Sequence, residues 1–175
     1  MKTNRILSKS ALQKKLTNIK LLALDVDGVL TDGSMFYSST GEEMKKFNVR
    51  DGMGIMMLQK AGIKVAVITS ESNSIMKFRA AKLKIVDLHQ GSFDKIPAMK
   101  KLLLKYNLTM DEVAFIGDDI NDTSLLKIVG LAITPFDGIQ QNKNIAHYIT
   151  KQKGGDGCVR EVCDLLLAAR NSRES

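Results

Sequence analysis

Four groups of side chains in this sequence have types and spacings suited to chemistry at a shared site. The first is the carboxylate pair Asp25 and Asp27, which ends the apolar run 19–24 and is followed directly by Gly28. On an extended segment both side chains start on one side. Two like charges held that close are unfavourable unless a cation or a shared proton relieves them. The second group is Thr69 and Ser70, the third is Lys95, and the fourth is Asp118, Asp119 and Asp122. Several carboxylates with an open edge make an oxygen-rich site suited to Mg²⁺, which keeps waters and takes phosphate oxygens. An Asp carboxylate can attack phosphorus as a nucleophile. A second carboxyl two residues on can pass protons to and from the reacting oxygens. A hydroxyl and an ammonium beside them would neutralise charge on a phosphoryl group.

These groups need a scaffold that gathers distant segments. The runs 19–24, 63–69, 85–88, 113–117 and 129–133 read as buried strands, near-continuously apolar as in a parallel sheet. Helical stretches at 50–60, 72–82, 93–106 and 121–127 fall between them, and a last one at 159–169 repeats Val159, Val162, Cys163 and Leu166 at helical spacing. Gly62 and Asn107 act as stops, and Thr109 with Glu112 is a capping-box pair. This alternation predicts one α/β domain with a parallel sheet, whose strand ends share one edge and bring the four groups together. Residues 33–47 read as a β-hairpin insertion, too small to be a domain and expected to pack on something else, such as another subunit. Met53, Met56 and Met57 read as core filler. The expected organisation is a helical extension over 1–18 capped by Ser8 or Ser10, the domain over 19–170, and a frayed tail over 171–175.

Bulk composition narrows the classes. The 175 residues are 44% hydrophobic and 26% charged, with two Pro and no Trp, as expected of one globular domain. No apolar run approaches the ~20 residues of a membrane span, and residues 1–20 lack the apolar core of a secretory signal. Cys158 and Cys163 form no C-x-x-C motif and have no His at zinc spacing, so both read as reduced core residues of a cytoplasmic protein. The net charge of +7 is spread through helices and both tails without interleaved aromatics. A general attraction for anionic, phosphorylated ligands fits this spread as well as nucleic acid does, and charge alone does not choose. The motifs lead us to expect a phosphorylated ligand and no nucleic acid.

Taken singly, each group has a plainer reading. Thr69 is a common strand residue, Lys95 a solvated helix lysine, and Asp119 and Asp122 helix-start charges that favour the dipole. The glycine-rich stretch 154–157 could offer amide donors to an anion or act as a hinge. Together, however, Asp25-Val-Asp27-Gly-Val-Leu-Thr31, Thr69, Lys95 and Gly117-Asp118-Asp119-x-x-Asp122 resemble the four signatures of the haloacid dehalogenase superfamily of phosphatases. The hairpin followed by Lys46-Phe-Asn-Val-Arg-Asp-Gly52, the triplet His89-Gln-Gly91, and Gly154-Gly-Asp-Gly157 before the last helix are similar to its phosphatases of eight-carbon keto-deoxy sugar acid phosphates.

The resemblance covers residues 19–169. It implies a Rossmann-like three-layer sandwich around a central parallel sheet with no separate cap domain, Mg²⁺ as cofactor, and a homotetramer in which neighbouring hairpins and tails help close the site. It implies Asp25 as nucleophile and Asp27 as general acid and base. Asp25, the main-chain carbonyl of Asp27, and Asp118 would ligate the metal, while Thr69 and Lys95 would hold phosphate. Asn48, Val49, Arg50, Asp51, Gly52, Met56 and Arg79 match substrate-contacting positions, and the guanidinium of Arg50 or Arg79 could grip a sugar carboxylate with two hydrogen bonds. One position departs. The family has Thr-Gly-Arg after the second strand, and this chain has Thr69-Ser70-Glu71. Glu71 reverses the charge and looks more like phosphatases of nine-carbon keto-deoxy sugar acids. Two other classes compete: a non-catalytic assembly module for a sugar-activating enzyme, and a phosphate-accepting signalling receiver. The first has no need of the acidic cluster and Lys95, and the carboxylate spacing fits the second poorly.

Overall fold

The structure, a computed structural model, describes residues 6–174. Along the chain run α1 (Lys9–Asn18), β1 (Leu21–Leu24), β2 (Phe36–Ser38), β3 (Gly41–Met44), α2 (Val49–Lys60), β4 (Lys64–Ile68), α3 (Ser74–Lys82) and β5 (Asp87–His89). There follow α4 (Ile96–Tyr106), β6 (Val113–Ile116), α5 (Thr123–Leu126), β7 (Leu131–Thr134), α6 (Gln140–Ile145), β8 (Tyr148–Ile149) and α7 (Cys158–Glu174). The first five residues of the expected extension, and Ser175 of the expected tail, lie outside the described residues. Ser8 caps α1 by accepting from the Ala11 amide. Residues 171–174, expected to fray, continue α7, and Ser172 Oγ donates to the Ala168 carbonyl at 3.0 Å.

The main sheet has six parallel strands in the order β5-β4-β1-β6-β7-β8. Its central strand β1 is buried on both faces, and its side chains alternate between two cores. Leu22 and Leu24 join Ile55 and Leu58 of α2, Met76 of α3, and Val162, Cys163 and Leu166 of α7. Leu21 and Ala23 join Met99 and Leu102 of α4 and Leu125 of α5. Each fully buried Leu contributes roughly 1.5–3 kcal/mol relative to exposure, so β1 is firmly seated. By the same alternation Asp25 follows Leu21 and Ala23 onto the α4 side. The β2–β3 hairpin forms a separate two-stranded sheet, with Phe36, Tyr37 and Met44 more than half exposed.

Two expectations are corrected. The buried stripe of α2 is Asp51, Gly52, Gly54, Ile55 and Leu58, so Met53, Met56 and Met57 face outward at 51, 43 and 40% exposure and fill no core. A Cβ at Gly54 would sit 2.9 Å from Arg160 Cδ and 3.1 Å from Cys163 Cβ, which shows how closely α2 and α7 approach. The sequence reading also lacks α6 and β8. The first is six polar-rich residues and the second a two-residue edge strand, neither with a period of its own. Tertiary hydrogen bonds define β8: His147 N donates to Ala132 O at 2.8 Å and Thr150 N to Thr134 O at 3.0 Å.

The glycine-rich stretch before α7 is neither a hinge nor an anion cradle. Its amides are in use: Gly154 N donates to Asp137 Oδ1 at 3.0 Å, Gly155 N to Val29 O at 2.9 Å, and Asp156 N to Lys153 O at 3.1 Å. A Cβ on Gly154 would lie 1.9 Å from the Gly28 carbonyl oxygen, so two backbones touch here. The stretch therefore straps down the loop that follows β1. Among the described residues no helix is long and apolar enough to cross a membrane. Gly154→Ala is expected to overpack this contact and cost about 1–3 kcal/mol, read as a lower urea midpoint at unchanged slope.

Candidate active site

Asp25 continues the β1 ladder, its amide donating to the Ile116 carbonyl at 3.0 Å, and the chain then turns sharply. Gly28 has φ +78°, and a Cβ there would sit 2.0 Å from Asp118 Oδ2. Only glycine lets the loop after β1 pass the carboxylate that leaves β6. Thus two acidic segments, distant in sequence and adjacent in the sheet, meet at one edge.

Beneath them lies Lys95, at the N-cap of α4, with its side chain fully buried. Its Nζ donates to Asp25 Oδ1 at 2.6 Å and to Asp122 Oδ1 at 2.5 Å. The other Asp122 oxygen accepts the amides of Asp118 and Asp119 at 2.9 and 3.3 Å. Asp122 thereby ties the loop after β6 to the lysine. Three carboxylates, Asp25, Asp118 and Asp122, place oxygens within 4.8 Å of one another around one ammonium. That leaves a net deficit of two positive charges.

The electrostatics follow. Burial first, then the charge of Asp122, pushes the Asp25 carboxyl up to about 7 despite Lys95. Burial and the charges of Asp25 and Asp122 push Asp118 up to about 8. Asp118 Oδ1 is buried with no hydrogen-bond partner. A crowded carboxylate set with an orphaned oxygen and a twofold charge deficit fits a hard divalent cation such as Mg²⁺. Asp25 and Asp118 are the side chains with oxygens to offer it, because both oxygens of Asp122 are already engaged.

These groups open onto a hollow of about 290 Å³ lined by Asp25, Asp27, Thr69, Ser70, Glu71, Asp118 and Asp119 among others. Thr69 follows β4 and is pinned by its own backbone: its amide donates to His89 O and its carbonyl accepts from Ser92 N, both at 2.9 Å. Its hydroxyl accepts the Glu71 amide at 3.2 Å. Asn121 Nδ2 donates to Ser70 Oγ at 2.8 Å, joining the two rims.

The structure therefore gathers Asp25, Asp27, Thr69, Glu71 and Asp118 around one hollow, with Lys95 as its buried floor. The expected substrate-contacting set does not line this hollow: residues 48–52 open α2, Met56 lies further along it, and Arg79 is on α3. Asn48 caps α2 through the Arg50 amide. Val49 is 80% exposed. Arg50 lines a separate cleft with Lys151 and Arg160. Asp51 is buried and accepts the Arg160 amide at 2.7 Å in the first turn of α7. Arg79 Nη2 donates to Asn48 O at 3.0 Å, its guanidinium stacks over Phe47, and a Cβ on Gly52 would meet it at 2.7 Å. Within one chain Asp51 and Arg79 brace α2 against α7 and α3. Lys45, absent from the sequence reading, is bound to Asp27, and no local pattern marks it. Asn142 was also missed: fully buried, it donates to the Asp119 carbonyl at 2.7 Å.

The chain is similar to known proteins over most of its length. A family described as haloacid dehalogenase-like hydrolase matches residues 67–162. The 3-deoxy-D-manno-octulosonate 8-phosphate phosphatase of Yersinia pestis is 44% identical over 161 residues, 92% of this chain and 86% of that protein. A 3-deoxy-D-manno-octulosonate 8-phosphate phosphatase of Moraxella catarrhalis, solved with a magnesium ion, a phosphate ion and a KDO molecule, superposes with a TM-score of 0.91 at 39% identity, over 95% of this chain and 96% of that one. A Legionella pneumophila hydrolase of the same superfamily gives a TM-score of 0.91 at 41% identity, over 94 and 91%.

A divalent ion that relieves the carboxylate crowding stabilises the folded state. Mg²⁺ at about a hundred times its Kd is expected to add about 2.7 kcal/mol, a Tm rise of roughly 5–10 °C for a chain of this size. Asp118→Asn should abolish most of that rise while making the metal-free protein more stable, both read by thermal unfolding without substrate.

Proposed function

This chain belongs to the haloacid dehalogenase-like hydrolases, and on that footing we propose that it is a Mg²⁺-dependent phosphatase releasing inorganic phosphate from 3-deoxy-D-manno-octulosonate 8-phosphate. The observation that carries the reading is the convergence of Asp25, Asp118 and Asp122 on buried Lys95 beside the hollow that Thr69 and Asp27 line. Relatives over nearly the full chain bear that substrate in their names.

Asp25 attacks phosphorus, forming an aspartyl-phosphate as the ester bond breaks. Lys95 holds one oxygen of Asp25, which fixes the direction of attack and adds positive charge beneath the phosphoryl group. The Thr69 hydroxyl at the rim holds a phosphoryl oxygen. Asp27, at the mouth, passes its proton to the departing sugar oxygen and then takes one from the attacking water. Asp25, Asp118 and the Asp27 main-chain carbonyl would hold Mg²⁺, which when bound would supply the remaining positive charge that phosphoryl transfer demands.

We assign residues 19–170 to this phosphatase domain and place it in the cytoplasm, in the synthesis of lipopolysaccharide precursors. Phe36, Tyr37 and Met44 of the hairpin and Met53, Met56 and Met57 of α2 are all largely exposed apolar side chains. Apolar side chains left facing outward favour a homotetramer, in which the exposed Val49, Arg50 and Met56 would meet a neighbour's hollow. A second reading has its own support. Glu71 lines the hollow, at the position where the chain departs from the Arg of the eight-carbon phosphatases and resembles those acting on nine-carbon keto-deoxy sugar acid 9-phosphates. A non-catalytic assembly module has no use for a fully buried Lys95 held between two carboxylates.

Asp25→Asn is expected to keep the fold and lower turnover by roughly 10⁴–10⁶-fold, as loss of a covalent nucleophile does, in a phosphate-release assay; full activity would end the assignment. In a screen of keto-deoxy sugar phosphates, Glu71→Arg should shift kcat/KM toward the eight-carbon substrate by about tenfold, or about 1.4 kcal/mol. An unchanged ratio would remove Glu71 as a selector.

A further inference from the structure

Lys45 lies just past β3, on the segment that leads from the hairpin into α2. Its side chain is fully buried although Phe36, Tyr37 and Met44 of the same arm are largely exposed. Its Nζ donates to both carboxylate oxygens of Asp27, each at 2.8 Å. Thr31 Oγ1 donates to Oδ1 of the same carboxylate at 3.3 Å. Lysine is almost never fully buried unless paired, and desolvating an ammonium costs several kcal/mol. Packing alone gives no reason to bury one here. One partner it reaches is a carboxylate that keeps 21% exposure and opens onto the hollow. The next residue, Lys46, binds Asp32 at 2.8 Å, so the base of the hairpin grips the loop after β1 at two points.

We propose that Lys45 is a positioning residue for Asp27: the hairpin carries the group that aims the proton donor of the reaction. This rests on the phosphatase reading above. In the first half-reaction an oxygen of Asp25 bonds to phosphorus. The ester P–O bond breaks, and its electron pair stays on the sugar oxygen, which takes the proton of the Asp27 carboxyl. In the second half, water oxygen bonds to phosphorus, the Asp27 carboxylate takes the water proton, and the Asp25–phosphorus bond breaks to release phosphate. Both transfers need an Asp27 oxygen within hydrogen-bond reach of a moving atom. A free carboxyl at a loop mouth would sample several rotamers. An ammonium fixed from behind, with the Thr31 hydroxyl beside it, selects one. A misplacement of about 1 Å at such a group costs on the order of 100-fold.

Lys45→Met and Lys45→Gln separate this role from a structural one when kcat/KM, with Mg²⁺ present, is measured on two substrates. One is 3-deoxy-D-manno-octulosonate 8-phosphate, whose alkoxide leaving group must be protonated. The other is p-nitrophenyl phosphate, whose leaving group needs little help. We expect a loss of about 100-fold on the sugar phosphate and under about fivefold on the nitrophenyl ester, with Lys45→Arg recovering part of the first. Equal losses on both substrates, no loss on either, or loss of cooperative unfolding in both variants would overturn the proposal. A wild-type protein inactive on both would instead overturn the phosphatase reading on which it stands.

Discussion

The site depends on one buried ammonium. Lys95 sits fully inside the protein between Asp25 and Asp122, above the ring of Phe115 at 5.7 Å. Alone it would be too costly to bury, and the two carboxylates alone would repel each other. Together they hold only if β1, β6 and α4 meet in register, which links the strand pairing of the sheet to the chemistry at its edge. Because Lys95 answers for one charge among three carboxylates, the remaining deficit has to be met from outside the chain. The electrostatic imbalance that weakens the three-carboxylate cluster is one that a divalent cation would relieve.

The loops around this charge cluster are held by backbone contact rather than by bulk. Gly28 passes within the space that Asp118 needs, and Gly154 lies against Gly28 from the other side. Asn142 fixes the Asp119 carbonyl and accepts the Thr123 hydroxyl at 2.7 Å. The result is a rigid edge whose oxygens cannot separate to relieve their repulsion. Preorganisation of that kind is what electrostatic catalysis requires.

The hairpin has two faces with different physics. It leaves Phe36, Tyr37 and Met44 largely exposed, whereas its base delivers Lys45 and Lys46 to the acidic loop after β1.

Residue type and spacing alone determined the α/β class, five of the six strands, and the placement of Asp25, Asp27, Thr69, Lys95 and Asp118 at strand or helix ends. Those groups were legible because apolar runs mark the strands, and parallel strands share one polar edge. Tertiary structure alone decided which partners each would have. Asp51 reaches Arg160 across 109 positions, Lys45 reaches Asp27 across 18, and Met53, Met56 and Met57 face outward because the buried stripe of α2 runs through Gly54, Ile55 and Leu58. Pairings of that kind leave no local period, since they are fixed by how helices and loops pack and not by what neighbours what along the chain.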